Sequence, residues 1–428
     1  MTQSLPTFYS PSPDRESVIL RLANGGIGIT NWLSYSFNEH FLTPSDAWSF
    51  EVSGSTLTDE QKGGLVPGAL VQLLINGNIQ STGYIDSIER KASRTGGTLW
   101  TISGRDRFGQ IVDACADPTI QFDPLSTLDQ AMLTIFGQFG YTSSQIIVDN
   151  DDNRALQTGQ ISGTKTSAKG KPLKSYALHQ YRPYPREGLF EFAARICQRR
   201  GLWIWPSSDG TKVIVGRPNF DQSSFYRLVR QAGGQNDILD GSVKYDLSNQ
   251  PCIIVADGFS GGADFAHAKM MVIGINPAVR GVADKVDTPL TSTAAYRAVL
   301  ARFPQAVTLP PLHPATSYPQ MIAPSFRTIY LHDDEAKTQA ELNSFVYREM
   351  ALRLRSSLHV TYTVEGHGML AQDGSFTPWA VDTMVDVQDD VGGVYEPLYV
   401  LSRTFHKSRS GGTKTDLELI RRYSLDLG

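Results

Sequence analysis

The segment from Leu65 to Gly109, LVPGALVQLLINGNIQSTGYIDSIERKASRTGGTLWTISGRDRFG, constrains the fold more than any other stretch of the chain. Leu65-Val66-Pro67-Gly68 is a turn, because proline presets φ and glycine tolerates the bend that follows. Val71, Leu73 and Ile75 alternate with Leu70, Gln72 and Leu74, which predicts a strand with one apolar face. Asn76-Gly77-Asn78 predicts a tight hairpin, since Asn-Gly accepts the positive φ values of a primed turn. Gly83 to Ile88 is the return strand, Leu99 to Ser103 a third, and Gly104-Arg105-Asp106-Arg107 closes it. The segment carries no catalytic pattern and reads as a small, rigid β unit.

These residues resemble a known family. The Pro67-Gly68 turn, Gly83-Tyr84-Ile85-Asp86 and Ser103-Gly104-Arg105-Asp106-Arg107 are similar to the baseplate hub proteins of contractile-tailed bacteriophages, the Mu-like type related to the late-control tail proteins. The resemblance extends weakly over most of the chain. The amphipathic helix ending Arg200-Gly201-Leu202 and the two strands after it, within Glu187–Arg217, belong to it. So do Asn236 to Asp246, the strand Cys252 to Gly258, and Gly411-Gly412-Thr413 before the last strand.

At 428 residues the chain exceeds one core, so two to four domains are expected. Charged residues are only 19%, and 38 glycines and 23 prolines suit a β-rich, turn-rich protein. The net charge of −4 argues against a high-affinity nucleic-acid binder, though not against DNA passing through a channel built by several copies. Cys115, Cys197 and Cys252 form no CxxC pair, so neither a disulfide framework nor a zinc site is expected, and the thiols read as reduced. The N-terminus has no basic-then-apolar pattern of a signal peptide, and no stretch reaches the ~18 apolar residues of a membrane helix, so no membrane insertion is expected.

The chain divides into an N-terminal arm (1–14), an N-terminal β-barrel (15–115), an α+β domain (116–235), a mixed domain (236–357) and a C-terminal β-barrel (358–428), with or without strands from 236 to 258. In the first barrel, Val18–Leu22, Trp32–Phe37 and Trp48–Val52 alternate as short strands. In the α+β domain, Leu128, Met132, Ile135, Phe136 and Phe139 share a helical stripe that Gly140 stops, and Gln145–Val148 is a strand. A second helix spans Gly188–Arg200 with Leu189, Phe192, Ala193 and Ile196 inward and Gly201 as its cap. A hairpin follows, turning at Ser208-Asp209-Gly210. The mixed domain holds a Pro/Gly-rich stretch (259–325), read as an irregular surface extension packing on a neighbouring chain. A long helix (334–356), N-capped by Asp333 or Asp334, buries Phe345, Val346, Met350 and Leu354. Strands at 358–366, 384–387, 398–401 and 416–420 complete the chain. No short-period repeat is visible, and two barrels alike only in structure would escape a sequence search.

Candidate chemistry is thin. Asp149, Asp151 and Asn153 match the first ligands of a calcium loop, but Arg154 and Gln160 stand where glycine and glutamate are required. Gly163 to Pro172 lacks phosphate-loop spacing, and Lys165, Lys169, Lys171 and Lys174 read as a soluble or basic loop. The histidines His40, His179, His267, His313, His332, His359, His367 and His406 show no metal-binding spacing. His359 and His367 would lie about 26 Å apart along one strand. Glu187 and Glu191, one helical turn apart, read as helix-dipole partners rather than a glycosidase pair. Arg105-Asp106-Arg107 reads as exposed charge or an interchain ion pair. No catalytic, cofactor-binding or metal-binding residue is expected.

The fold expectation is therefore a β-rich α+β protein with two small β-barrels and peripheral α+β domains. What the resemblance implies is a non-enzymatic virion protein, the central baseplate hub. Its members are homotrimers whose paired barrels form a pseudo-six-fold ring, adapting the hexameric tail tube to the trimeric central spike. Its expected partners are the spike, the tail tube or a tube initiator, the tape measure protein and the baseplate wedge proteins. DNA would pass through the channel without specific binding. Assembly would take place in the host bacterial cytoplasm. Other readings are a carbohydrate- or receptor-binding tail protein using exposed Trp and Tyr, a tail-associated cell-wall hydrolase, and the hub half of a type VI secretion spike.

Overall fold

The computed structural model describes residues 8–9, 16–22, 26–122, 126–148, 182–259, 269–282, 289–313, 321–334, 336, 338–371, 375–408 and 411–427. The calcium-like and lysine-rich segments, His179 and His267 lie outside these residues.

The N-terminal half is almost all strand: β1 (Phe8–Tyr9), β2 (Val18–Leu22), β3 (Gly28–Ile29), β4 (Trp32–His40), β5 (Ala47–Ser53), β6 (Leu70–Ile75), β7 (Asn78–Ser93) and β8 (Gly97–Asp106), with one short helix, α1 (Asp59–Gly64). Alternation decides which face is buried. Trp48, Phe50 and Val52 of β5 point inward, as do Val71, Leu73 and Ile75 of β6. The β6–β7 hairpin turns at Asn76 (φ 47°) and Gly77 (φ 83°), the primed turn that Asn-Gly predicts.

The α+β unit follows: α2 (Phe108–Asp113), α3 (Leu128–Phe136), β9 (Ile146–Val148), α4 (Leu189–Gln198), β10 (Trp203–Pro206) and β11 (Val213–Gly216). Leu128, Met132, Ile135 and Phe136 meet Leu189, Phe192, Ala193 and Ile196 in one core against Val213 and Val215. Gly140 (φ 78°) and Gly201 (φ 72°) end the helices, as expected. Each of these buried apolar side chains larger than alanine contributes about 1.5–3 kcal/mol.

The remaining elements are β12 (Tyr226–Arg230), β13 (Ile238–Tyr245), β14 (Ile253–Phe259), β15 (Lys269–Ile275), β16 (Val279–Val282), α5 (Ala294–Arg302), β17 (Val307–Leu309), β18 (Met321–Ala323), β19 (Thr328–Asp333), α6 (Gln339–Arg355), β20 (Leu358–Glu365), β21 (Gly368–Ala371), β22 (Phe376–Pro378), β23 (Met384–Asp389), β24 (Val394–Ser408) and β25 (Gly412–Arg421). The stretch 259–325, expected to be an irregular extension, is corrected here. Its described parts hold α5 and β15–β18, and β15 sits in a four-stranded sheet ordered β17-β15-β14-β19. Helix α6 packs on that sheet through Val346 and Met350. The start of α6 is also corrected. Thr338, not Asp333 or Asp334, caps it, because Thr338 and Glu341 form a reciprocal capping box while Asp333 ends β19.

The largest sheet runs β13-β20-β25-β24-β4-β5-β8-β7-β6-β2-β3, so both ends of the chain share one hydrogen-bonded path. One apolar core spans it, joining Phe37, Phe50 and Ile102 to Val360, Leu398, Phe405 and Leu419. Two separate closed barrels are therefore not what the described strands form. In the N-terminal half the sheet curls until the Trp32 indole N–H donates to the Val18 carbonyl (3.0 Å), a side-chain contact in place of a ladder. In the C-terminal half β23 carries β12 in parallel pairing, and the end of β12 meets the residues just before β13 at the Arg230–Asn236 bridge.

Candidate functional site

The concentration of buried charge lies where the two halves meet. The long strand β24 pairs β23 with its first half and β4 with its second, from Ser402–His40 to Lys407–Tyr35. At the centre of this joint Arg403 is wholly buried. Its guanidinium forms an ion pair with Glu39 and donates to the Gln80 side chain (2.8 Å) and to the Trp379 carbonyl. It lies 4.5 Å from the Phe405 ring centroid, a favourable cation–π distance. Asp46 and Asp106 are buried nearby. Burial pushes the Glu39 carboxyl up, against the pull of Arg403. Burial, then the charges of Glu39 and Asp106, push Asp46 well up. Asp106 is pushed up to about 6, chiefly by burial.

The Arg105-Asp106-Arg107 triplet has a different role from the one expected. Asp106 is not exposed; it accepts from Ser45 Oγ (2.7 Å) and from the Gly109 amide (3.2 Å) at the start of α2. Arg105 pairs within the chain, to Asp86 (2.7 Å) and Asp113 (2.6 Å). Arg107 lies over the Tyr141 ring (4.2 Å) and donates to the Phe139 carbonyl (3.2 Å). The triplet therefore fastens the α+β unit to the end of β8.

A second polar cluster surrounds His367. Its backbone N–H donates to Glu16 Oε1 (2.7 Å), its Nε2 lies 2.7 Å from the Tyr35 hydroxyl and its Nδ1 3.1 Å from Thr415 Oγ1. Thr415 Oγ1 donates to the Gly366 carbonyl, so it accepts from Nδ1–H, and the Tyr35 hydroxyl donates to Nε2. Burial lowers the His367 imidazole to about 3 and raises the Glu16 carboxyl to about 7, with the Glu365 charge adding to the latter. The two groups oppose each other in pH dependence. The raised Glu16 gives stability that is full below pH 4.5 and lost as pH rises towards 7. The lowered His367 gives stability lost as pH falls from 6.5 towards 3. Glu16→Gln should remove the first slope, raising stability at pH 8 by up to about 3 kcal/mol relative to the parent and little at pH 4.5. Thermal melts across pH 4–8 check this; parallel pH profiles for the two proteins would refute it.

The other expected candidates fall apart spatially. His40 and His359 both approach Glu418 (3.7 and 2.8 Å), His313 pairs with Asp426, His332 with Asp257, and His406 with Asp416. Among the described residues no group of three or more His, Cys, Asp or Glu is placed to hold a metal ion. Glu187 is held by Arg195 (2.7 Å), and Glu191 accepts from the Gly188 amide at the start of α4, so these acids do not face each other across a cleft. Trp32 packs on Phe50 (4.4 Å between rings), as a core residue does. No described helix is long and apolar enough to cross a membrane. Two grooves remain. One, of about 550 Å³, runs between α4 and α6 past Phe190, Arg195, Phe345 and Arg348. The other, of about 470 Å³, follows Gly63 to Leu70 beside β2.

Residues 19–106 match the model of the N-terminal domain of the Mu phage baseplate assembly protein GpP-like family. Among solved structures, the chain is similar to a tail protein from Neisseria meningitidis MC58, with 20% identity, a TM-score of 0.68, and coverage of 96% of this chain and 99% of that one. It is also similar to a 43 kDa tail protein of prophage MuSo2 from Shewanella oneidensis, with 17% identity, a TM-score of 0.64, and coverage of 96% and 99%. At these identities the likeness is one of fold. No curated protein matches the chain.

Proposed function

We propose the role of central hub in a contractile tail baseplate for this chain, whose residues 19–106 match the N-terminal domain model of the Mu phage baseplate assembly protein GpP-like family. The observation that carries this reading is the sheet that runs unbroken from the matched domain, through β4 and β24, into the C-terminal half. A protein of this build transmits load between its two halves through backbone hydrogen bonds and a shared core rather than through a hinge. In the proposed arrangement residues 15–115 and 358–428, the latter completed by β12 and β13, are two curled β units of a homotrimeric ring. The ring presents six similar units to a hexameric tail tube and three copies to a trimeric spike. The rest of the α+β unit (116–235) and of the mixed unit (236–357) stands at its periphery, where wedge proteins would dock, and β1 pairs β21 of the C-terminal half. The tape measure protein and then DNA would pass through the central channel. The work is mechanical, in the virion, with no catalytic step.

Sedimentation equilibrium of the purified chain tests the reading. A trimer of about three times the 47.1 kDa chain mass is expected, alone or on mixing with its spike. A monomer under both conditions, releasing soluble fragments from peptidoglycan, would replace the hub by a hydrolase.

A further inference from the structure

One hexapeptide pattern occurs twice. In the sequence, Ser93-Arg94-Thr95-Gly96-Gly97-Thr98 lies where β7 passes into β8, and Ser408-Arg409-Ser410-Gly411-Gly412-Thr413, 315 residues later, begins at the last residue of β24 and ends in β25. The geometry repeats with it. The first glycine's amide donates to the serine hydroxyl in both (2.7 and 3.0 Å), and the second glycine has φ of 71° in one and 70° in the other. Register shifts fall at matching places: between Ile85 and Ser87 in β7–β8, and between Val400 and Ser402 in β24–β25. Another pair lies between Trp32 and Ser34 in β4–β5, and between Ile238 and Asp240 in β13–β20. Bulges are specified irregularities, so their coincidence marks common design. The runs β4-β5-β8-β7-β6 and β13-β20-β25-β24-β23 are two copies of one strand pattern.

Inside the chain the copies meet once, where residues 402–407 of β24 pair residues 40–35 of β4. Carried through the repeat, that joint becomes residues 87–92 of β7 against residues 246–241 at β13. Among the described residues both of these stretches have an open edge. Strand β7 pairs β6 only as far as Tyr84, and beyond that pairs β8 alone. Over these residues β13 pairs β20 alone. Glu89 to Ser93 are exposed, and Tyr245 is 52% exposed.

We propose that the β7 edge of one copy pairs antiparallel with the β13 edge of a second copy, in the register of the internal β24–β4 joint. This rests on the ring reading above and supplies its intermolecular contact. The interface is head-to-tail, so it closes into a ring when the rotation allows. The register places Ile88 opposite Tyr245, Glu89 opposite Lys244, Arg90 opposite Val243 and Lys91 opposite Ser242. The chemistry at each position suits this. Glu89–Lys244 is an opposite-charge pair at the place where Thr404 and Asn38 hydrogen-bond across the internal joint (2.8 Å). Ile88–Tyr245 is an apolar pair at the place of Arg403–Glu39, and it covers the exposed Tyr245 ring. Glu89 and Lys244 have same-strand partners in Lys91 (3.0 Å) and Asp246 (2.9 Å), so the paired edges interleave four charges of alternating sign.

Oxidation of a Lys91→Cys/Ser242→Cys protein in a Cys115→Ser background tests the pairing. Disulfide-linked multimers are expected on a non-reducing gel, with none from Lys91→Cys/Leu239→Cys, whose cysteines are out of register. Glu89→Lys should weaken association about 2- to 5-fold, and adding Lys244→Glu should restore it. A sedimenting trimer without the Lys91–Ser242 crosslink overturns the pairing and leaves the hub standing. Crosslinked multimers without a trimer uphold the pairing and overturn the trimeric hub. A protein that neither associates nor crosslinks overturns both.

Discussion

Arg403→Met is expected to destabilise the protein by about 3–5 kcal/mol, read as a large fall in the thermal midpoint. The side chain is fully buried, and its charge is what keeps Glu39 tolerable in the joint between β24 and β4. Removing it leaves Glu39, Asp46 and Asp106 buried together, with Gln80 and the Trp379 carbonyl deprived of a donor. Burial already raises all three carboxyls, and Arg403 is a force opposing this at Glu39 and Asp46. Without it they take up protons more readily still, so the cost of Arg403→Met should be smaller at pH 5 than at pH 8. The double replacement Arg403→Met/Glu39→Met should recover part of the loss, because an apolar pair of similar volume leaves no orphaned charge at that position. A single variant that melts within about 1 kcal/mol of the parent would show that the joint does not depend on the pair.

The joint was the least legible part of the chain. Arg403 sits in Leu-Ser-Arg-Thr-Phe-His, where alternation alone leaves a charged residue on a solvent face, and its partner Glu39 is 364 positions earlier. Only the pairing of β24 with β4 brings them together, and that pairing has no local signature. The Arg105-Asp106-Arg107 triplet failed for the same reason, since Asp113 and Tyr141 come from the next unit. Local signals fared better. Asn76-Gly77 turned where a primed hairpin must, and the α3 and α4 stripes packed against each other. In 259–325 glycine and proline at the flanks masked Met270, Val272 and Ile273, which form a buried strand because β14 supplies the neighbour. The repeated Ser-Arg-x-Gly-Gly-Thr was legible in principle. Its copies lie too far apart for a search at short period, and the matching bulges that give it meaning are visible only in the strand pairing.

Gly104→Ala is expected to be the most damaging small substitution in the N-terminal half, costing on the order of 4 kcal/mol. A Cβ at Gly104 would lie 2.1 Å from the Tyr84 carbonyl oxygen and 2.4 Å from the Trp48 ring. On β7, Gly83, which pairs Asp106 two positions from the Ile85–Gly104 pair, is equally confined, with the Arg105 carbonyl oxygen 2.0 Å from the position of its Cβ. The obstacle in each case is backbone, which cannot swing aside as a side chain does. Relief requires β7 and β8 to separate near the Ile85–Ser87 bulge, breaking ladder hydrogen bonds worth about 0.5–1.5 kcal/mol each. Separation there also displaces Asp106, and with it the start of α2 and the attachment of the α+β unit. This explains why the Gly83-Tyr84 and Ser103-Gly104-Arg105 motifs carry glycine on adjacent strands, two residues apart in register, where glycine is otherwise unfavourable. Gly97→Ala is the control. Its φ of 71° disfavours alanine, but nothing lies within 4 Å of the added methyl, so a loss of only about 1 kcal/mol is expected. Chemical denaturation of the two variants side by side checks the argument, and equal losses would show that φ rather than the strand crossing sets the requirement for glycine.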